Sequence, residues 1–236
     1  MGQSEVLDVK SLSTGYGAMQ IIWDCSLAVH MNETVLLLGS NGAGKTTLLK
    51  GIMGFLPARS GSIYFEGRDL TGVPVHIKSR LGITYSSESS IYPMMTVREN
   101  LLMSCMRSRE GFGKRASEVF NIFPDLQKFE NSRASGLSGG QRKMLSIGRV
   151  MMARPKLLLL DEPSSGLSPL FTGKIIEALQ VLRELGIPML ISEQNTEFTR
   201  LADSVMVLDH GRVVFSGSES EAERNEAIHS AYFGVG

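Results

Sequence analysis

The chain has 236 residues and a mass of 25.8 kDa, room for one large domain or two small ones. Its 24 Lys and Arg cancel 24 Asp and Glu, the pI is near 6.9 and no basic run stands out, so no nucleic-acid partner is expected. Hydrophobic content of 42% against 20% charge excludes a disordered chain, and two cysteines, Cys25 and Cys105, exclude a disulfide framework or a zinc site and point to a reducing compartment.

No apolar stretch approaches the roughly 18 residues of a membrane span, and the N-terminus lacks a basic-then-apolar leader pattern. Gly2 is not followed by the Ser or Thr at position 6 that myristoylation wants; Val6 stands there. A soluble chain is expected, one that reaches a membrane only through a partner.

In chain order, short apolar runs alternate with helical stretches, which predicts an α/β fold with a mainly parallel sheet. Thr34–Leu38, ending at Gly39, reads as a buried strand, with a helix over Thr47–Met53 after it. Ser62–Glu66 alternates up to Gly67 like half of a hairpin. From about Thr96 to Met152 the pattern is helical, with no strand candidate and with Ser108–Gly113 as the clearest loop. Leu157–Leu160 runs into Asp161, and Met189–Ser192 is a second short apolar run; both predict central strands covered on two faces. Between them Ile175, Leu179 and Leu182 recur at helical spacing until Gly186-Ile187-Pro188 stops the helix. Val205–Leu208 faces Val213–Phe215 across Asp209–Arg212, and the charged Glu219–Glu226 reads as a solvated helix. The expected division is a single domain whose core, 1–88 and 154–236, is interrupted by a helical insert over 89–153.

Three motifs carry chemistry. Gly39-Ser40-Asn41-Gly42-Ala43-Gly44-Lys45-Thr46 fits the phosphate-loop pattern between a strand and a helix. Its glycines let backbone N–H groups turn onto phosphate oxygens, and the helix N-terminus adds its positive dipole end. Lys45 would reach the β- and γ-phosphates and the Thr46 hydroxyl would ligate Mg²⁺, with Thr47 completing the nucleotide-contacting set. Leu157-Leu-Leu-Leu-Asp161-Glu162-Pro163 delivers Asp161 at a strand end for the Mg²⁺ shell, and Glu162 is placed to polarise an attacking water as general base. Leu137-Ser138-Gly139-Gly140-Gln141 opens a predicted helix with Ser138 as N-cap and two glycines exposing N–H groups, a second anion site.

These motifs, in this order, resemble the ABC (ATP-binding cassette) ATPases over essentially the whole chain. The resemblance implies a P-loop NTPase core of RecA-like kind, a small antiparallel β subdomain, an inserted helical subdomain, and ATP with Mg²⁺ as ligands. It implies a head-to-tail pair with a second ABC ATPase subunit, alike or different. Each ATP would then lie between one phosphate loop and the partner's Leu-Ser-Gly-Gly-Gln segment. It nominates Tyr16, in Gly15-Tyr16-Gly17, as the aromatic stacked on adenine. A separate transmembrane permease, and a place on the cytoplasmic face of the membrane, follow from the same resemblance; Met94 and Met95 follow the loop that would face that permease.

Three positions depart from the family pattern. The usual Gln between core and helical insert is absent; counting back from Met95-Thr96-Val97 puts Ser87 there with Glu88 one residue on, and the oxygen of either could approach the metal. Gln194 stands where a switch His is usual; it donates a hydrogen bond but carries no proton at neutral pH. Pro169 stands where the family usually carries an Asp after the Leu157–Glu162 segment. Together with Glu193-Gln194-Asn195 and the Tyr92-Pro93-x-Met95-Thr96-Val97 stretch, these look like the LivF-type ATPases of branched-chain amino acid importers. The urea and amide importer ATPases are closely similar, and a soluble regulatory module with weak hydrolysis is the reading that Ser87 and Gln194 favour. A GTPase is disfavoured, since no Asn-Lys-x-Asp motif occurs.

Overall fold

The computed structural model describes residues 4–87, 90–105 and 111–225. Glu88, the first half of the Ser108–Gly113 loop (108–110) and Glu226 lie outside them. Among the described residues the strands fall into two sheets. β1 (Glu5–Tyr16) and β2 (Met19–His30) form a long hairpin, and β4 (Ala58–Phe65) with β5 (Arg68–Asp69) completes an antiparallel sheet in the order β2-β1-β4-β5. The second sheet takes β3 (Thr34–Leu38), β6 (Ile83–Ser86), β7 (Leu157–Asp161), β8 (Met189–Glu193), β9 (Ser204–Asp209) and β10 (Arg212–Gly217) in the order β10-β9-β3-β8-β7-β6. All its neighbours are parallel except β9 and β10, which pair as the predicted hairpin.

Helix α1 (Lys45–Met53) follows β3, and α2 (Val75–Leu81) precedes β6. The run α3 (Val97–Ser104), α4 (Phe112–Ile122), α5 (Pro124–Lys128) and α6 (Gly139–Ala153) leads into β7. After it come α7 (Pro169–Glu184) and the short α8 (Glu219–Arg224). No helix among the described residues is long and apolar enough to cross a membrane.

Period-two geometry splits each central strand between two cores. Val35, Leu37, Leu157 and Leu159 face α1 and the antiparallel sheet, packing with Leu48, Leu49, Ile52 and the β1 residues Leu7, Val9 and Leu12. Leu36, Leu38, Leu158 and Leu160 face the other way, into one continuous core with α3 to α7 that includes Leu101, Val119, Met144, Ile175, Leu179 and Leu182. The apolar run of leucines is thus explained: both faces of β7 are dry.

Several expectations are revised. The helix after the phosphate loop begins at Lys45, two residues before the expected start, because Gly44 at φ 109° lets the chain turn directly into it. Ser138 caps the helix that its segment opens, and Gly139 is its first residue. β1 and β2 escape the sequence pattern because bulges break their alternation, at Val9/Leu12 among other places, with Ser11 at φ 48°. β6 is too short and polar to read as a strand. The helix of the charged C-terminal stretch is not wholly solvated: Ala222 is fully buried against the α-helical core.

One turn fixes the phosphate loop in place. His210 and Gly211 both have positive φ, 44° and 75°, as a two-residue hairpin between β9 and β10 needs. The Gly211 N–H donates to the Ala43 carbonyl at 2.9 Å, and its carbonyl accepts from Trp23 N–H at 2.9 Å. A Cβ at Gly211 would stand 1.7 Å from the Ile21 carbonyl oxygen. Gly211→Ala is therefore expected to cost about 2–4 kcal/mol. The corresponding fall in Tm, roughly 5–15 °C in a domain of this size, is checked by calorimetry against the unsubstituted chain.

Candidate nucleotide site

Between β3 and α1 the loop leaves Ser40, Asn41 and Gly42 exposed, while Gly39, Ala43 and Lys45 are buried. Gly44 ends the loop in a left-handed conformation closed to most side chains, so the first N–H groups of α1 open toward the loop. Lys45 is 3% exposed, and its ammonium donates to the carbonyls of Gly39 (2.8 Å) and Ser40 (3.1 Å). It also stands 3.2 Å from Glu162 Oε1. Thr47 is buried, and Thr46 is half-buried with its hydroxyl turned toward β7.

Asp161 ends β7, and its carboxylate gathers three hydroxyls. Oδ1 accepts from Thr46 Oγ1 at 3.0 Å and from Ser192 Oγ at 2.7 Å; Oδ2 accepts from Tyr85 OH at 2.9 Å. The donors come from α1, β8 and β6, brought together because Asp161 is in register with Ser192 and Leu160 with Ser86. Burial pushes the Tyr85 phenol well above its ordinary pKa, and the Asp161 charge and hydrogen bond push the same way. Tyr85 is thus held as a neutral donor. Sequence reading misses both Tyr85 and Ser192, which belong to no local motif.

Glu162 follows in a left-handed backbone conformation, φ 44°, with its N–H on the Ser192 carbonyl at 3.0 Å. Asp161 and Glu162 face a cleft of about 780 Å³ whose walls include Tyr16, Lys50, Phe55 and Tyr85. Tyr16 is 46% exposed on this wall, an open ring face, while Phe55 packs edge-on against Tyr85 with centroids 5.4 Å apart. Ser87 lies in the same wall; its N–H donates to Ser90 Oγ and its carbonyl accepts from Ser146 Oγ. Gln194 is exposed and lines an adjoining groove of about 350 Å³ together with Asn41 and Glu162.

The Leu-Ser-Gly-Gly-Gln segment stands apart from both. Ser138 Oγ accepts from the Gln141 N–H at 3.2 Å and Gln141 Oε1 accepts from the Ser138 N–H at 2.9 Å, a reciprocal cap at the start of α6. Ser138 and Gly139 are exposed and Gly140 half-buried, and none of the four lines the cleft at Asp161 or the groove at Asn41. The residues singled out from the sequence therefore fall apart in space, those around Asp161 and its adjoining groove on one side and those at the α6 N-terminus on the other. Pro169, for its part, is the first residue of α7, where its missing N–H leaves no bond unmade.

Residues 22–165 match the model of a family described as ABC transporter. The chain is 38% identical over 232 residues to the high-affinity branched-chain amino acid transport ATP-binding protein BraG of Pseudomonas aeruginosa, covering 97% of this chain and 100% of the relative. It is 32% identical to the lipopolysaccharide export system ATP-binding protein LptB of Escherichia coli, over 97% of each. Among solved structures, the ATP binding subunit of an ABC transporter superposes with a TM-score of 0.84 at 29% identity, covering 97% of this chain and 96% of that one. With a phosphate loop, an Asp-Glu strand end and a glycine-opened α6 set in this fold, the chain belongs to the ABC transporter family as an ATP-binding, ATP-hydrolysing subunit.

Proposed function

We propose that the chain closes on ATP with a second ABC ATPase subunit and drives a separate membrane permease that imports branched-chain amino acids. The observation that carries the paired mechanism is the separation of the two anion-directed places: Lys45, Thr46, Asp161 and Glu162 meet around one cleft, while Ser138, Gly139, Gly140 and Gln141 open outward elsewhere on the surface. A second subunit presenting its own α6 N-terminus would complete the cleft. The solute assignment is supported by the 38% identity to BraG against 32% to the export protein LptB. The helical insert 89–153, with Met94 70% exposed just before α3, is the side we assign to the permease at the cytoplasmic face of the membrane.

In this reading Tyr16 stacks on the adenine, the loop from Gly39 to Thr47 wraps the phosphates, and Lys45 leaves its loop carbonyls for phosphate oxygen. Thr46 and Asp161 are hard oxygen donors already in mutual contact, and no cluster of three His, Cys, Asp or Glu occurs among the described residues. That donor set fits Mg²⁺, which takes few carboxylates and leaves its remaining positions to water and phosphate. Bound there, Mg²⁺ would neutralise charge developing on the transferred phosphoryl group. Glu162 accepts the proton of the attacking water, and Gln194 donates a hydrogen bond from the adjoining groove. The Ser87 hydroxyl takes the place of the usual loop Gln beside Asp161.

Lys45→Ala should raise the Kd for ATP by about 10- to 100-fold, the loss of a charge-assisted contact, measured by equilibrium titration with a fluorescent ATP analogue. Glu162→Gln should bind ATP with near-normal affinity while its turnover falls by about 10²–10⁴-fold. Light scattering on that variant should move from one chain to two only when Mg-ATP is added; a persistent monomer would show that closure needs a different subunit. Ser138→Arg should leave ATP affinity of the monomer intact and abolish the mass increase. A loss of monomer affinity in that variant would refute the assignment of Ser138 to the partner's nucleotide.

A further inference from the structure

The turn that carries Glu162 is strained and buried charges grip it from two sides. A non-glycine residue at positive φ is strained and persists only where its surroundings over-determine it. At Glu162, φ 44°, the amide end is fixed by the Ser192 carbonyl at 3.0 Å, and Ser165 N–H closes the turn back onto the Glu162 carbonyl at 3.3 Å. Two further side chains reach the turn. Glu193, 2% exposed at the end of β8, accepts from Ser164 N–H at 2.7 Å through Oε1. Its Oε2 accepts from the N–H groups of Gln194 (2.9 Å) and Asn195 (3.2 Å). Lys143, 5% exposed on α6, donates its ammonium to the Ser165 carbonyl and, at 3.5 Å, to the Glu162 carbonyl.

We propose that Glu193 and Lys143 are positioning residues, a buried carboxylate and a buried ammonium that hold the Glu162–Ser165 turn by its N–H and carbonyl groups so that Glu162 faces the cleft. Among the described residues neither forms a salt bridge, so each charge is compensated by backbone dipoles. A buried ion without its partners is costly, which makes this hold stiff: any turn geometry that releases the Ser164 N–H or the Ser165 carbonyl strips a charge of its compensation. The same two side chains tie the turn to its neighbours. Glu193 links it to the Gln194 loop, and Lys143 links it to the helix whose N-terminus is capped by Ser138 and Gln141. Lys143 also lines the Asp161 cleft, so its ammonium borders the place where the reaction is assigned.

This inference rests on Glu162 being the group that polarises water, and the test separates the two. Glu193→Gln (one acceptor oxygen kept, an NH₂ turned toward amide donors), Lys143→Met, Lys143→Arg and the Gln/Met double variant are compared in the full chain, with Glu162→Gln as reference. Amide hydrogen exchange of the nucleotide-free chain reads the hold directly. The segment 161–167 should exchange at least about 10-fold faster in Glu193→Gln and Lys143→Met, while amides of β3 and α7 keep their protection. Steady-state hydrolysis should show kcat lower by about 10- to 100-fold with KM within about 3-fold, and the losses in the double variant should be clearly less than additive. Lys143→Arg should recover most of the turnover, since a guanidinium also donates to two carbonyls. Unchanged exchange in segment 161–167 overturns the proposal, as do additive losses with raised KM. If Glu193→Gln fails to fold, the Lys143 series decides by the same criteria. Should Glu162→Gln turn over ATP normally, the catalytic reading falls, and the exchange result still decides whether the two charges hold the turn.

Discussion

The Asp161 carboxylate is the point to which the rest of the site is referred. Three hydroxyls converge on it from three different elements, α1, β6 and β8. Such a convergence requires the parallel strands to keep register to within one residue, because a slip would carry Ser192 or Tyr85 to the opposite face of the sheet. Register in turn is enforced by the two dry faces of β7 and β8, where every alternate side chain is claimed by one core or the other. A small polar cluster is thus precise because the apolar packing around it is two-sided. The hydrogen bonds to a mostly buried carboxylate are charge-assisted and gain strength from the low local dielectric.

The helical run from α3 to α6 is continuous, in packing terms, with α7 and with one face of the sheet. Two of its helices, α3 and α6, are begun by strong local signals: reciprocal caps at Thr96/Glu99 and Ser138/Gln141, where side chain and backbone satisfy each other. At α6 the cap also settles what Gln141 does within its own chain, because its amide oxygen is held on the Ser138 N–H. The outward face of that N-terminus is therefore presented by backbone and by the two glycines.

Local chemistry was legible in the sequence and tertiary convergence was not. The phosphate loop, the Asp161-Glu162 strand end and the Ser138 cap are each contained in a few consecutive residues, so composition and spacing reveal them. Tyr85, Ser192 and Glu193 are ordinary residues in sequence, and they acquire their meaning only when β6, β7 and β8 align. The long β1–β2 hairpin was missed for a different reason: its bulges interrupt the alternation that identifies a strand. The β9–β10 hairpin was legible because its turn residues are flanked by clean alternation. Its tie to the phosphate loop through Gly211 was not, since that contact joins residues 168 positions apart (43 and 211).

The contact between Lys45 and Glu162, 3.2 Å with the lysine almost wholly buried, has a thermodynamic consequence for the reading above. A cation already satisfied by two carbonyls and a carboxylate can serve an incoming phosphate only by exchanging partners, so the affinity is a difference between two states in both of which the ammonium is paired. Its magnitude should be modest even though the individual contacts are strong. The exchange also involves the glutamate. When the ammonium leaves Glu162 Oε1 for another partner, the carboxylate loses its counter-ion in the same movement. Placing the lysine and releasing Glu162 from its ion pair are then one event, and a change that loosens either partner is felt by the other.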